Sequence, residues 1–330
     1  MRNIRTHAAL LLLLLTGACA QEHPETETVF RTMETETETR SLLGETVEEN
    51  RKTGITLAAY TDGKLFVSAY YTSSLEAMRL NLERDTPYTV YALVNMGDRR
   101  RDLPDSEAGL SAWTYRIPSY TEGAGSLTVQ GLPMAGRLDY SGGSTAIPVE
   151  RLLAKVTARL SCEWDGASIR EVRVRNLNRT LRPFGTGSAS GPEDILDQQE
   201  FQEGTGSASG TFTFYVPENL QGTVKGVSAP SGKSPDKNAE VAARADRLTF
   251  LEAVVDASGL YKGTITYRSY LGKDAVSDFD IRRNAHYVWT VRYLLDGLQY
   301  DDWKHENHLL DPSGLNIDDE WDNGGESELH

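Results

Sequence analysis

The chain has 330 residues, 39% of them hydrophobic, which is enough to fill two cores of ordinary domain size. Its formal net charge of -14 becomes -16 once residues 1–18, which carry Arg2 and Arg5 and no acid, are set aside. A surface that acidic makes nucleic acid and anionic lipid headgroups poor partners. Only Cys19 and Cys162 could form a disulfide, so a modified Cys19 leaves the fold to stand on burial alone.

The chain opens with Arg2 and Arg5, an apolar run from Ala8 to Leu15, and the small residues Gly17 and Ala18 before Cys19. That order marks a signal peptide, and the run is too short to span a bilayer, which takes about 20 apolar residues. The end of the run resembles a bacterial lipobox, with Thr16 where leucine is usual, and cleavage there makes Cys19 the acylated first residue. Acyl chains on Cys19 would hold the protein to outer-membrane lipid, each buried methylene contributing about 0.8 kcal/mol. An ordinary secretory signal cleaved nearby is the alternative.

Residues 19–53 alternate Glu with Thr, most plainly from Glu34 to Thr39, and offer few apolar side chains. They read as a disordered acidic tether. Basic residues break the acidic stretch at Arg40 and at Arg51-Lys52.

From Gly54 the pattern becomes short runs of period two separated by Gly, Asp, Pro and Ser, which predicts an all-β chain. Ile55, Leu57 and Ala59 share one face, Thr61 to Lys64 turns into a strand over 65–71, and Met78, Leu80 and Leu82 form the next inward set. Tyr88, Val90, Ala92 and Val94 follow, then Trp113, Tyr115 and Ile117, then Leu127 and Val129, completing a first β-sandwich over 54–147. Ser141 to Ser144 and Pro148 mark the boundary. A second sandwich over 148–304 begins with the clearest strand, 152–164, in which Leu152, Ala154, Val156, Ala158, Leu160, Cys162 and Trp164 alternate with mostly polar residues. At full extension it would run roughly 43 Å, long enough to bend or to join the two domains. Further strands are predicted at 171–174, 211–216, 248–255, 261–270 and 286–295. The heptapeptide Gly-Thr-Gly-Ser-Ala-Ser-Gly occurs at 185–191 and again at 204–210, and the whole stretch reads as one mobile surface loop.

Motifs for chemistry are absent or malformed. Gly226 to Ser234 has five residues between its glycines where a phosphate-binding loop has four, and it holds a proline. His305-Glu306-Asn307-His308 lacks the zincin spacing, and Asp318, Asp319, Glu320 and Asp322 lack the glycine of a calcium loop. No nucleophile signature and no paired carboxylates recommend an enzyme, a cofactor or a metal. Arg170, Arg173, Arg175, Arg179 and Arg182 form the one basic cluster and read as a charged face balancing the acidic chain. The tail over 305–330 carries a short alternating run, Leu315, Ile317 and Trp321, broken by Asp319. It could pair within its own domain or add to an open sheet edge of a neighbouring subunit.

An ordered set of phrases resembles the fimbrillin family, the subunits of Bacteroidales type V pili, and especially members with an uncharacterised C-terminal module. These are Thr86 to Asp98, Leu132 to Gly136, Val149 to Val156, Phe214 to Gly222, and Arg283 to Tyr287. The acidic start after Cys19 is similar to the signal that sends Bacteroidetes lipoproteins to the cell surface. The resemblance implies two transthyretin-like, Greek-key β-sandwiches in tandem, export as an outer-membrane lipoprotein, and assembly with other fimbrial subunits. It further implies proteolysis after a basic residue near the start, here Arg40 or Arg51, which removes a first strand and opens a groove. A neighbour's terminal strand, here carrying Leu315, Ile317 and Trp321, would fill that groove. The competing expectation is a monomeric surface lipoprotein that captures a glycan or another host or bacterial surface ligand through exposed aromatics and the Gly-Ser loop.

Overall fold

The computed structural model describes residues 25–34, 51–72, 78–117, 131–142, 145–196, 201–258, 262–294 and 306–307. The described chain is nearly all β. Its first strands are β1 (Glu25–Glu34), β2 (Ile55–Thr61), β3 (Lys64–Tyr71), β4 (Met78–Glu83) and β5 (Tyr88–Val94). A single helical turn, α1 (Glu107–Leu110), and the two-residue β6 (Tyr115–Arg116) follow, then β7 (Met134–Tyr140) and β8 (Ala146–Arg151). Six of these strands and β1 make one sheet in the order β3-β2-β5-β7-β8-β1-β4.

Alternation builds this half as expected, and it does so on both faces. Ile55, Leu57, Ala59, Val90, Ala92 and Val94 enter a core with Met78, Leu80, Leu82, Met134, Ile147 and Val149. The intervening Ala58, Tyr60, Tyr91 and Leu93 are buried too, in a second core shared with the C-terminal half. Strands covered on both sides read as continuous apolar runs, and β2 and β5 do so. Tyr60 and Tyr91 meet edge to face at 5.6 Å, and their hydroxyls donate to Pro104 O (2.7 Å) and Glu107 Oε1 (2.8 Å), tying down the segment around α1.

The C-terminal half contains β9 (Leu153–Cys162), β10 (Ala167–Arg175), β11 (Thr180–Leu181), β12 (Phe201–Glu203), β13 (Ser209–Pro217), the helical turn α2 (Ala239–Ala242), β14 (Phe250–Ala257), β15 (Gly263–Tyr270), β16 (His286–Tyr293) and β17 (Glu306–Asn307). They form a three-stranded sheet, β13-β9-β16, and a five-stranded sheet, β12-β10-β14-β15-β17. Val156, Ala158, Leu160, Phe212, Phe214, Trp289 and Val291 from the first join Val172, Val174, Leu251, Ala253, Val255 and Tyr267 from the second in the shared core. That is a β-sandwich, and its inner faces follow the period of two.

Four expectations change. Residues 25–34 of the presumed tether are a strand, held by main-chain pairing with β4 over 25–30 and with β8 over 31–34. The long strand over 152–164 is interrupted at Leu152, whose N–H donates to Pro133 O (2.8 Å), so the chain passes between sheets there. Pro148 lies inside β8, where the register pairs it with β1, whereas β7 pairs with Val149 to Arg151. A missing N–H is tolerated where the strand passes from one neighbour to the next. Tyr115 belongs to β6, which pairs with β11 of the C-terminal half, away from the first sheet.

One corner recurs. Asp85 (φ 61°) precedes Tyr88, whose hydroxyl accepts from Glu83 N (3.1 Å); Asn284 (φ 55°) precedes Tyr287, whose hydroxyl accepts from Arg282 N (3.1 Å). Each is a tyrosine corner at the start of a core strand.

Gly136 shows how closely β7 and β8 approach: a Cβ there would lie 2.0 Å from Pro148 O. Gly136→Ala should therefore lower stability by about 1–3 kcal/mol, read as an earlier urea midpoint.

Candidate functional site

The site with the most unusual construction is the place occupied by β1. Its first part runs antiparallel to β4, with Thr26 opposite Leu82, Thr28 opposite Leu80 and Phe30 opposite Met78. Its second part runs parallel to β8, with Thr32 opposite Ile147 and Glu34 opposite Val149. The facing residues Met78, Leu80, Leu82, Ile147 and Val149 are all buried, at 2% exposure or less. Among the described strands, β4 has β1 as its sole ladder partner. One ten-residue segment thus links the β4 wall of the N-terminal core to the sheet formed by β8, β7, β5, β2 and β3.

The edges of this sheet are finished by phenols. The Tyr71 hydroxyl, at the end of β3, accepts from Arg79 N (2.7 Å) and donates to Arg79 O, and the Tyr88 hydroxyl accepts from Glu83 N. The two terminal strands β3 and β4 are thereby joined by a side chain in place of a ladder.

A cavity of about 670 Å³ lies where the N-terminal sheet meets the C-terminal half, lined by Tyr91, Arg137, Glu150, Phe184, Glu218 and Arg283 among others. Tyr91 and Phe184 stand edge to face at 4.7 Å. Burial, first, and then the hydrogen bond to Glu107 push the Tyr91 phenol up, so it stays protonated. The Arg283 guanidinium donates to both Glu218 oxygens, to Gly185 O (2.6 Å) and to Arg182 O (3.0 Å), and lies 3.6 Å from Glu150. Glu218 Oε2 also accepts from Gly187 N (2.7 Å). Both charges are consumed in holding backbone, an arrangement suited to fixing the junction.

That network overturns the reading of the first Gly-Ser heptapeptide as mobile. Gly187 and Ala189 are buried, and their amides donate to Glu218 and to Asn219 Oδ1 (3.1 Å). The second copy runs into β13. Small residues are needed where a carboxylate and an amide approach the main chain directly. Glu218, Asn219 and Arg283 were missed as functional positions, although Glu218 and Asn219 sit in the Phe214 to Gly222 phrase and Arg283 opens another.

The other sequence candidates resolve plainly. Lys233, in the glycine-rich stretch, is 1% exposed. Its Nζ donates to Asp274 O (2.5 Å) and Tyr270 O (3.3 Å) and lies 4.7 Å from the Phe279 ring centre, so no phosphate could reach it. Arg170 pairs with Asp256 (3.0 Å), Arg173 with Glu171 and Arg175 with Glu252 (2.7 Å), which is the charged, self-balanced face expected of that cluster. Cys162 is buried, and burial pushes its thiol up to about 12, so it is inert. Arg51 is exposed, and its carbonyl accepts from Asn95 Nδ2 (2.7 Å). Cys19, Arg40, Leu315, Ile317 and Trp321 lie outside the described residues. No group of three metal-ligating side chains gathers among the described residues, and no helix there is long and apolar enough to cross a membrane.

The fold has known counterparts. Residues 214–291 match a family described as a domain of unknown function, DUF4906. No curated protein sequence matches the chain. A Parabacteroides distasonis protein assigned to cell adhesion superposes with a TM-score of 0.59 at 13% identity, covering 93% of this chain and 99% of its own. The tip fimbrial protein Mfa3 of Porphyromonas gingivalis gives 0.55 at 12% identity, covering 83% and 96%. A fimbrilin (fimA) of Porphyromonas gingivalis gives 0.51 at 13%, covering 89% and 96%. The fold is therefore that of the fimbrillin-like β-sandwich proteins of Bacteroidales.

Lys233 supplies a pH test. Burial lowers its ammonium from 10.5 to about 7, with Asp274 and Asp278 acting in the opposite sense. As pH falls from about 10 towards 7 the unfolded chain takes up this proton and the native chain does not, so stability falls across that window and levels off below it. Lys233→Met should remove this slope, measured as urea midpoints of the two proteins compared between pH 7 and 10.

Proposed function

We propose that the protein is a fimbrial subunit or accessory adhesin at the bacterial outer surface, exported as a lipoprotein through Cys19 and assembled by strand donation after N-terminal proteolysis. The observation that carries this reading is the position of β1 between β8 and β4, upstream in sequence of both Arg40 and Arg51. A cut after either arginine would sever β1 from the body it completes. The slot it vacates would demand a strand of one direction only, antiparallel to β4 and parallel to β8.

β1 is a weak occupant by composition. Its register sets Thr26, Thr28, Phe30 and Thr32 against Leu82, Leu80, Met78 and Ile147, so three of these four positions carry threonine. A strand that alternates Leu315, Ile317 and Trp321 offers more apolar surface, on the order of 1–2 kcal/mol for each threonine position replaced by a larger apolar residue. Exchange would then run downhill once β1 is no longer covalently attached. The fold shared with a tip fimbrial protein and a fimbrilin supports the same reading. Polymerisation separates it from a monomeric lipoprotein that binds a glycan, a reading that has the junction cavity in its favour.

Replacing Arg40 and Arg51 together by alanine should leave the subunit lipidated, uncut and monomeric on a mildly denaturing gel. Fibres of normal length from that variant would remove the protease step. Ile317→Asp should carry a charge into an apolar slot at a cost of several kcal/mol and stop assembly, and unchanged polymer ladders would refute the donor role of the tail.

A further inference from the structure

Strand exchange at the β1 slot raises a problem that the geometry answers. With β1 gone, β4 would lose its ladder partner, and a wall that drifts away leaves no slot to refill. Two phenols act on the opposite edge of β4. Tyr71 Oη both accepts from Arg79 N and donates to Arg79 O, so one hydroxyl satisfies both main-chain groups of one residue, as a neighbouring strand would. Tyr88 Oη accepts from Glu83 N (3.1 Å).

The parity of these bonds is informative. In an antiparallel ladder, alternate residues turn their main-chain groups to one neighbour and the residues between turn to the other side. Arg79 and Glu83 share a parity and point outward to the phenols, which leaves Met78, Leu80 and Leu82 to pair with β1. Tyr71 comes from β3 and Tyr88 from β5, and neither strand is hydrogen-bonded to β1. Met78, Leu80 and Leu82 also stay in the core with Tyr88, Val90 and Ile147.

We propose that Tyr71 and Tyr88 are positioning residues that clamp β4 from its outer edge, so that the slot persists while its occupant changes, and that they close this edge to any second strand. An edge left with unpaired amides would invite pairing on the wrong side. The proposal rests on the reading of β1 as exchangeable, and the two can fail separately.

The test uses the full chain with Tyr71→Phe or Tyr88→Phe, and Tyr70→Phe as a control, followed amide by amide in hydrogen exchange. The Arg79 amide should exchange about tenfold faster in Tyr71→Phe and the Glu83 amide about tenfold faster in Tyr88→Phe, with amides of β9, β13 and β16 unchanged. Equal Arg79 exchange in wild type and Tyr71→Phe overturns the clamp. The proteins are then cut after Arg40 or Arg51 by limiting trypsin and mixed with a fluorescent peptide of residues 25–34. Nicked wild type should take up the peptide while its Arg79 and Glu83 amides stay slow; nicked Tyr71→Phe should lose both protection and uptake. Uptake by wild type with a fast-exchanging β4 overturns the clamp and leaves the slot standing. Slow β4 amides without uptake support the clamp and overturn exchangeability.

Discussion

Main-chain amides and carbonyls withdrawn from water must find partners, and in this fold a ten-residue strand meets that demand for two neighbours in succession. β1 pairs with β4 on one side and β8 on the other, changing from antiparallel to parallel along its own length. The residues facing it, Met78, Leu80, Leu82, Ile147 and Val149, are buried.

Side-chain pattern explains what the amino-acid sequence made legible. Strands that carry their own apolar face, such as β9 with Val156, Ala158 and Leu160 or β16 with Trp289 and Val291, stand out by alternation. β1 is rich in Glu and Thr, so its composition reads as solvated chain. Pro148 argued against a strand, yet β8 accommodates it where pairing passes from β7 to β1. The doubled Gly-Ser word looked mobile because composition does not disclose that Glu218 and Asn219 bind its amides from outside. Partners distant in sequence decide such cases, and local pattern cannot supply them.

The resemblance phrases acquire physical reasons. Thr86 to Asp98 opens on the Tyr88 corner, Arg283 to Tyr287 contains its counterpart, and Phe214 to Gly222 holds the buried Glu218 and Asn219. Asn219 joins Ala189, Gln221, Arg247 and Thr249 through its amide group. In each of these three phrases a side chain satisfies polar groups that an apolar residue could not.

The mixed pairing of β1 also has a mechanical side. A strand paired with one neighbour over its first six residues and with another over its last four, when pulled lengthwise, loads the rungs of each ladder in shear, whereas a strand peeled from one end breaks them in succession. Because Ala58, Tyr60, Tyr91 and Leu93 on the back of the same sheet are embedded in the core of the C-terminal half, tension entering through the slot would pass into the whole body of the subunit. The force needed to pull β1 free should then scale with the number of rungs engaged.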